Sequence, residues 1–334
     1  LYNATDGDNW IDNTNWLTEA PLGDWFGVTT DVDGNVLEIV LDSNNLDGYL
    51  PNEIGSFDNL QTLKLTWNII IDTIPKAIGN LGNLEVLNLF HNQLNGLIPS
   101  EIGFLSSLRY FDLGDNSFTG SIPPEIGGLN LLEELNLSSN TLIGPIPSEL
   151  GNLSNLFALG IAANLLNDTL PLEICNLSNL THLSFAHSEL LGPLPDNFCE
   201  SFPNLSQLQL QGNYLDSEDC ETIQCLSEKN LEYFDYAEQS NGFNFDTDCE
   251  TTNSDSLALV ALYNATDGDN WTDNTGWLSA AALGEWYGVD TDTDGNVYQI
   301  NLMQNNLIGT IPNEIGELIY LKYLRLDLNQ LTET

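Results

Sequence analysis

Three histidines (His91, His182 and His187), five cysteines between Cys175 and Cys249, and two acid-rich loops are the residues of this 334-residue chain equipped for chemistry. Histidine and cysteine hold transition metals, paired cysteines form disulfides, and clustered carboxylates hold calcium. The spacing admits little of this. Zinc needs converging ligand pairs, and C220-E-T-I-Q-C225 offers only a loose one. D290-T-D-T-D-G295 opens like a calcium loop, but its twelfth position is Asn301, and the corresponding stretch near the N-terminus begins on Thr29 and reaches Val40. A D-G-N turn ahead of an alternating strand reads more simply as a hairpin. The second acidic loop, D6-G-D8-N-W-I-D12, reads as a polar turn anchoring Trp10. Calcium at one of these loops is the single cofactor left open. The chain has no G-x-S-x-G, H-E-x-x-H or P-loop, so it is expected not to be an enzyme.

What positions these residues is a repeat. Prolines 51, 75, 99, 123, 147, 171 and 195 fall every 24 residues, and each opens a segment such as IPSEIGFLSSLRYFDLGDN. In L63-K-L65 or L135-N-L137 the alternation puts leucines on one face of a short strand and the intervening residue on the other. One strand with one leucine row cannot bury itself, so copies must stack into a continuous core with a parallel sheet along one side. Asn68, Asn92, Asn116, Asn140 and Asn164 end the strands, where a side-chain amide can satisfy the turning backbone.

The L-x-x-L-x-L-x-x-N-x-L-x-G-x-I-P pattern over roughly residues 36–215 and again 297–331 resembles the leucine-rich repeat family, in the plant-type class of receptor-kinase ectodomains and polygalacturonase inhibitors. The resemblance implies an α/β solenoid, a right-handed superhelix with a parallel concave sheet, short and mostly 3₁₀ helices on the convex side, and Trp-rich N-terminal caps. It also implies that ligands bind the concave face. W25-F-G-V28 resembles the W-x-G-V-x-C of plant-type caps, yet Thr30 and Thr291 stand where the cysteine would be, which points to a bacterial or algal surface-protein version.

The concave columns are the x positions of the pattern. They carry all three histidines together with Lys64, Trp67, Phe90 and Tyr110. Exposed aromatics beside hydrogen-bonding groups suit glycan stacking or a protein hot spot. The candidate ligand-binding residues are Lys64, Trp67, Phe90, His91, Arg109, Tyr110, His182 and His187. His91 and His187 sit four strands, or about 20 Å, apart and cannot share an ion, so no metal site is expected.

Residues 1–73 and 262–334 align without a gap, with 43 of 73 positions identical. The organisation expected is an N-terminal cap over 1–40, 24-residue repeats over 41–213, and a C-terminal cap or joint over 214–252. A second N-terminal cap over 253–300 and the start of a second array over 301–334 complete it. N253-S-D-S-L-A-L-V-A-L-Y reads as a capped helix. The chain reads as a window from a longer protein of 261-residue tandem modules. Cys175 and Cys199 occupy equivalent places in adjacent coils about 5 Å apart, so a Cys175–Cys199 disulfide is expected, with Cys249 pairing with Cys225 or Cys220. Such bridges imply an extracellular or cell-surface location.

Charge narrows the partners. With 49 acidic residues against 6 basic, a net charge of -43, the chain lacks the cationic surface that nucleic acid requires. It has no apolar run long enough to insert in a membrane. The reading is a non-enzymatic recognition or adhesion module whose concave face binds a protein or glycan on another cell or surface, with other copies of itself as further partners. The alternative is a structural spacer in a surface stalk or filament assembled through lateral chain contacts.

Overall fold

The structure is a computed structural model that describes residues 1–195, 197–215, 220–229, 231–236, 239–240, 254–279, 281–293 and 295–332. It divides into two compact units, Leu1–Phe245 and Asp246–Thr334.

In the first unit the leucine alternation produces the expected sheet. Val28–Thr30 pairs antiparallel with Val36–Val40, and eight parallel strands follow, one per coil, from Thr62–Lys64 to Tyr233–Asp235. The register never slips over the central coils: Leu63, Leu87, Phe111, Leu135, Leu159, Leu183 and Leu208 lie side by side and are buried. A one-residue slip would turn this whole row to solvent, so burial itself fixes the register. On the other side of the coil each Ile-Pro or Leu-Pro leads into a 3₁₀ helix, such as Ser100–Phe104 and Pro124–Gly128, whose isoleucine points into the same core.

The buried asparagines form a ladder. Asn140 donates from Nδ2 to the carbonyls of Leu113, Leu137 and Ser138 at 3.1–3.3 Å, and its Oδ1 accepts the Phe118 N–H at 2.9 Å. Each rung satisfies two coils at once, and buried backbone groups require such partners. Ser188 replaces asparagine in one rung and donates only its hydroxyl, to Ile161 and Ala186.

A second sheet was not anticipated. After each asparagine turn the chain stays extended, and Asp47–Tyr49, Ile69–Asp72, Gln93–Leu97, Ser117–Gly120 and Thr141–Leu142 pair in parallel along the flank. Stacking at one coil per strand spacing brings any extended segment within hydrogen-bonding reach of its copy.

The disulfide expectation is corrected. Cys199 bonds to Cys225, with Cα atoms 6.1 Å apart, and Cys175 is a buried free thiol. Equivalent side chains on successive coils project in the same direction, whereas a bridge needs converging Cβ vectors. Cys199 lies on the short helix α1 (Phe198–Ser201), against which α2 (Cys220–Glu228) packs and presents Cys225. Burial pushes the Cys175 thiol upward, opposed by a hydrogen bond with Ser201. Cys249 lies outside the described residues.

The N-terminal cap is a tryptophan stack. Trp10 and Trp16 meet edge to face at 4.9 Å, Trp16 and Trp25 lie tilted at 5.0 Å, and their indole N–H groups donate to the Thr5, Phe26 and Ala20 carbonyls. Gly48 is obligatory beneath it: φ is +143° and a Cβ would stand 2.0 Å from the Ala4 carbonyl oxygen. The D-G-N segment turns the expected hairpin, with the Asp31 carboxylate accepting the Asp33 and Asn35 N–H groups. The second unit opens with α3 (Ser254–Ala265), followed by the same stack and hairpin. No helix among the described residues is long and apolar enough to cross a membrane.

Candidate functional site

The residues facing outward from the concave sheet form two columns. One reads Thr62, Val86, Tyr110, Glu134, Ala158, His182 and Gln207; the other reads Lys64, Asn88, Asp112, Asn136, Gly160, Ser184 and Gln209. A third lies where each strand turns toward the asparagine ladder: Trp67, His91, Asp115, Ser139, Ala163 and His187, all at φ between +52° and +57°. Left-handed backbone is unusual for such residues. It persists because the N–H of each is bonded to the next coil, as from Trp67 to Phe90 O at 3.0 Å and from His91 to Gly114 O at 3.0 Å.

Several candidate residues converge on this turn column. The Trp67 and His91 rings lie 3.8 Å apart at 32°, and Phe90 meets Trp67 edge-on at 5.8 Å. His91 Nδ1 is bonded to the Asp115 carboxylate. Trp67 remains 55% exposed despite these contacts. Three consecutive coils thus present an indole, an imidazole and a carboxylate in line, a platform for a flat or apolar group carrying a hydrogen-bond donor at one end.

The other candidates fall elsewhere. Lys64 makes no ion pair among the described residues. Arg109 stands at the strand edge, paired with Glu133. His187 covers Gly212, whose added Cβ would meet the imidazole Nδ1 at 2.0 Å. No histidine belongs to a cluster able to share a metal ion among the described residues; the one such group contains the two disulfide sulfurs.

Tyr110 and His182 instead help line a hollow of about 210 Å³ in the middle of the concave face, together with Glu134, Asn136, Ser184 and Gln207. Its floor is low because Ala158 and Gly160 follow the larger Glu134 and Asn136. Asp112 lies behind its wall, 6% exposed, accepting from the Gly114 N–H at 2.9 Å, the Asn136 amide at 2.9 Å and the Tyr110 hydroxyl at 3.1 Å. Burial raises the Asp112 carboxyl above the usual range, opposed by these three hydrogen bonds. Burial and the Asp112 charge push the Tyr110 phenol far up, and Glu134 is raised by burial and by Asp112 while His182 acts in the opposite sense. Asp112 and Glu134 stand outside the aromatic and cationic residues that mark the site in the sequence. The signal was present in the small pair Ala158 and Gly160, which breaks the run of larger outward residues.

With this geometry the class of the fold is a leucine-rich repeat solenoid. Residues 58–118 and 131–153 match leucine rich repeat families. A probable leucine-rich repeat receptor-like protein kinase of Arabidopsis thaliana is 44% identical over 54 residues, covering 16% of this chain and 6% of that protein. Among solved structures, the ectodomain of the Arabidopsis receptor kinase HAESA in complex with an N-terminally extended IDA peptide hormone superposes with TM-score 0.61 at 29% identity, over 70% of this chain and 40% of that one. The plant peptide hormone receptor RGFR1 in complex with RGF2 gives 0.58 at 29%, over 92% and 45%. A plant ice-binding protein gives 0.60 at 24%, over 71% and 76%, a likeness of fold alone. This chain thus spans less than half of each of these two receptor ectodomains. These relatives are plant proteins, and the expected bacterial or algal version finds no support among them.

Proposed function

We propose that the chain is a non-enzymatic extracellular recognition module that binds a protein segment in extended conformation along its concave face. The observation that carries this reading is the turn column, where Trp67 stays exposed while stacked on His91, itself held by Asp115. Large, partly ordered aromatics beside hydrogen-bonding groups are the residues on which binding energy concentrates. The receptor ectodomains with peptide hormones, at 29% identity, support a peptide over a glycan. The Cys199–Cys225 disulfide supports an oxidising compartment.

The test is selection of a displayed random peptide library and of a glycan array on the whole chain, repeated with the Trp67→Ala/His91→Ala double variant. Peptides that bind the parent and lose about tenfold or more with the variant support the reading; truncating two hot-spot residues costs at least that much. Selected peptides with unchanged affinity for the variant overturn it. Glycans alone, lost in the variant, replace the peptide by a sugar. Concentration-dependent self-association without either would favour the spacer.

A further inference from the structure

We propose that the hollow between Tyr110 and Gln207 seats one cationic side chain, a lysine or an arginine, of the bound peptide; this deepens the peptide-binding reading and rests on it. Size limits the occupant first. At about 210 Å³ the hollow lies below the ~300–1,000 Å³ of pockets that hold whole small molecules. It matches a single side chain entering from an extended backbone.

Hydrogen-bond accounting then sets its polarity. Asn136 is committed on both ends, its Nδ2 donating to Asp112 and its Oδ1 accepting the Ser138 N–H. The Ser184 hydroxyl donates to Gln209 Oε1 at 2.6 Å, and His182 Nδ1 lies 2.7 Å from the Thr181 hydroxyl. The Tyr110 hydroxyl is directed at Asp112. The Glu134 carboxylate alone among the charged side chains of the lining has neither a hydrogen bond nor an ion pair among the described residues. The open valences of the hollow are therefore the neutral Gln207 amide and the Glu134 carboxylate, and the only charged one is the carboxylate, which accepts only.

Charge selects among donors. No lysine or arginine lines the hollow, and Arg109, next to Tyr110 in sequence, is engaged by Glu133. A neutral amide or hydroxyl would leave Glu134 facing the buried Asp112 charge with only His182 to oppose it. An ammonium or guanidinium would offset both, and charge-assisted hydrogen bonds to carboxylates are the stronger kind. Burial is the larger cause that raises the Glu134 carboxyl; the Asp112 charge is the second, and it is the one that such a cation offsets. The rest of the lining suits the same residue. Ala158 and Gly160 leave room for a methylene stem, and Tyr110 adds an aromatic wall beside it.

The experiment uses peptides selected on the whole chain as above. Each lysine and arginine of a selected peptide is replaced in turn by a neutral residue of similar length, norleucine or citrulline. Affinities are then measured against the parent, Glu134→Gln, and Glu149→Gln, an equal charge change on the outer 3₁₀ helix Ser148–Asn152. One cationic position is expected to cost about tenfold or more in the parent and in Glu149→Gln, and little in Glu134→Gln. Equal losses in all three proteins would assign the effect to the general acidity of the chain and overturn the seat. Peptides lost on Trp67→Ala/His91→Ala but lacking any such position would also overturn it, and leave the peptide reading standing. Peptides indifferent to both the double variant and Glu134→Gln would overturn seat and reading together. Glu134→Gln preserves shape on a half-exposed strand position, and an unchanged thermal transition verifies its fold.

Discussion

The two copies of the cap differ in an instructive way. Trp10, Trp16 and Trp25 correspond to Trp271, Trp277 and Trp286, and each indole N–H donates to the equivalent carbonyl at 2.8–3.0 Å in both copies. The glycine beneath is retained as well: a Cβ on Gly309 would stand 2.1 Å from the Ala265 carbonyl oxygen. The concave strand that follows is not retained. Thr62, Lys64, Thr66 and Trp67 become Tyr323, Arg325, Asp327 and Leu328, while Leu63, Leu65 and Asn68 persist as Leu324, Leu326 and Asn329. Inward residues answer to packing, which is the same in both copies, whereas outward ones are free to answer to a partner. A second difference lies in burial. In the second unit α3 joins the tryptophan cluster, and Trp277 and Trp286 are 7% and 5% exposed, where Trp16 and Trp25 are only partly buried.

The largest test of this comparison is truncation of the stack. Trp286→Ala is expected to cost about 3–5 kcal/mol, the usual range for a buried tryptophan, and Trp25→Ala clearly less. Hydrogen exchange over residues 254–301 and 1–40 would measure each locally; equal losses would break the assigned role of α3.

The ladder gives the next effect. Asn68 and Asn329 make the same set of bonds: each accepts two N–H groups and donates to three carbonyls. Asn68 is buried and Asn329 is partly exposed. Asn68→Ala should cost about 1–3 kcal/mol, the penalty of leaving buried groups unpaired. Asn329→Ala should cost less, because water replaces the lost partners. Urea unfolding followed by exchange at each site checks the order.

A smaller effect is a pH dependence confined to the concave face. Folding raises the Asp112 carboxyl, so it favours the protonated acid. That favourable contribution is complete below the unfolded value of about 3.9 and is lost as pH rises through the folded one. Asp112→Asn should remove this component, so that the variant gains on the parent between pH 4 and neutrality. A gap in denaturation midpoint that stays constant with pH would contradict the assignment.

The smallest effect sharpens the contrast between inward and outward positions. Trp67→Leu writes the second copy's residue into the first, and Leu328 is 70% exposed in its own context. Stability should change by no more than about 0.5 kcal/mol, as at exposed sites generally, while peptide binding falls. A large loss of stability would mean that Trp67 holds the coil together.

Much of the fold was legible because the interactions that build it repeat at a fixed interval. A leucine at 63 meets one at 87 and an asparagine at 68 meets the coil of 44 and 46, so period alone gives strand, core and turn. The hairpin at Asp33-Gly34-Asn35 and the helix Ser254–Ala265 were readable for a similar reason, since their signals are local. The flank sheet was less so: its pairs join residues 22 apart, as Ile71 with Gln93, across a segment whose sequence varies from coil to coil.

By itself the sequence determined that coils stack, which residues face inward, and that two caps are built alike, because burial acts on every coil in the same way. Only the tertiary structure decided that Cys199 meets Cys225 on α2 instead of Cys175, since direction of the Cβ bond, and not spacing, selects a disulfide partner. It likewise gathered Tyr110, Glu134, Ala158, His182 and Gln207 around one hollow. These residues come from five coils, and what joins them is the height of neighbouring side chains across the sheet, a quantity that no single repeat contains.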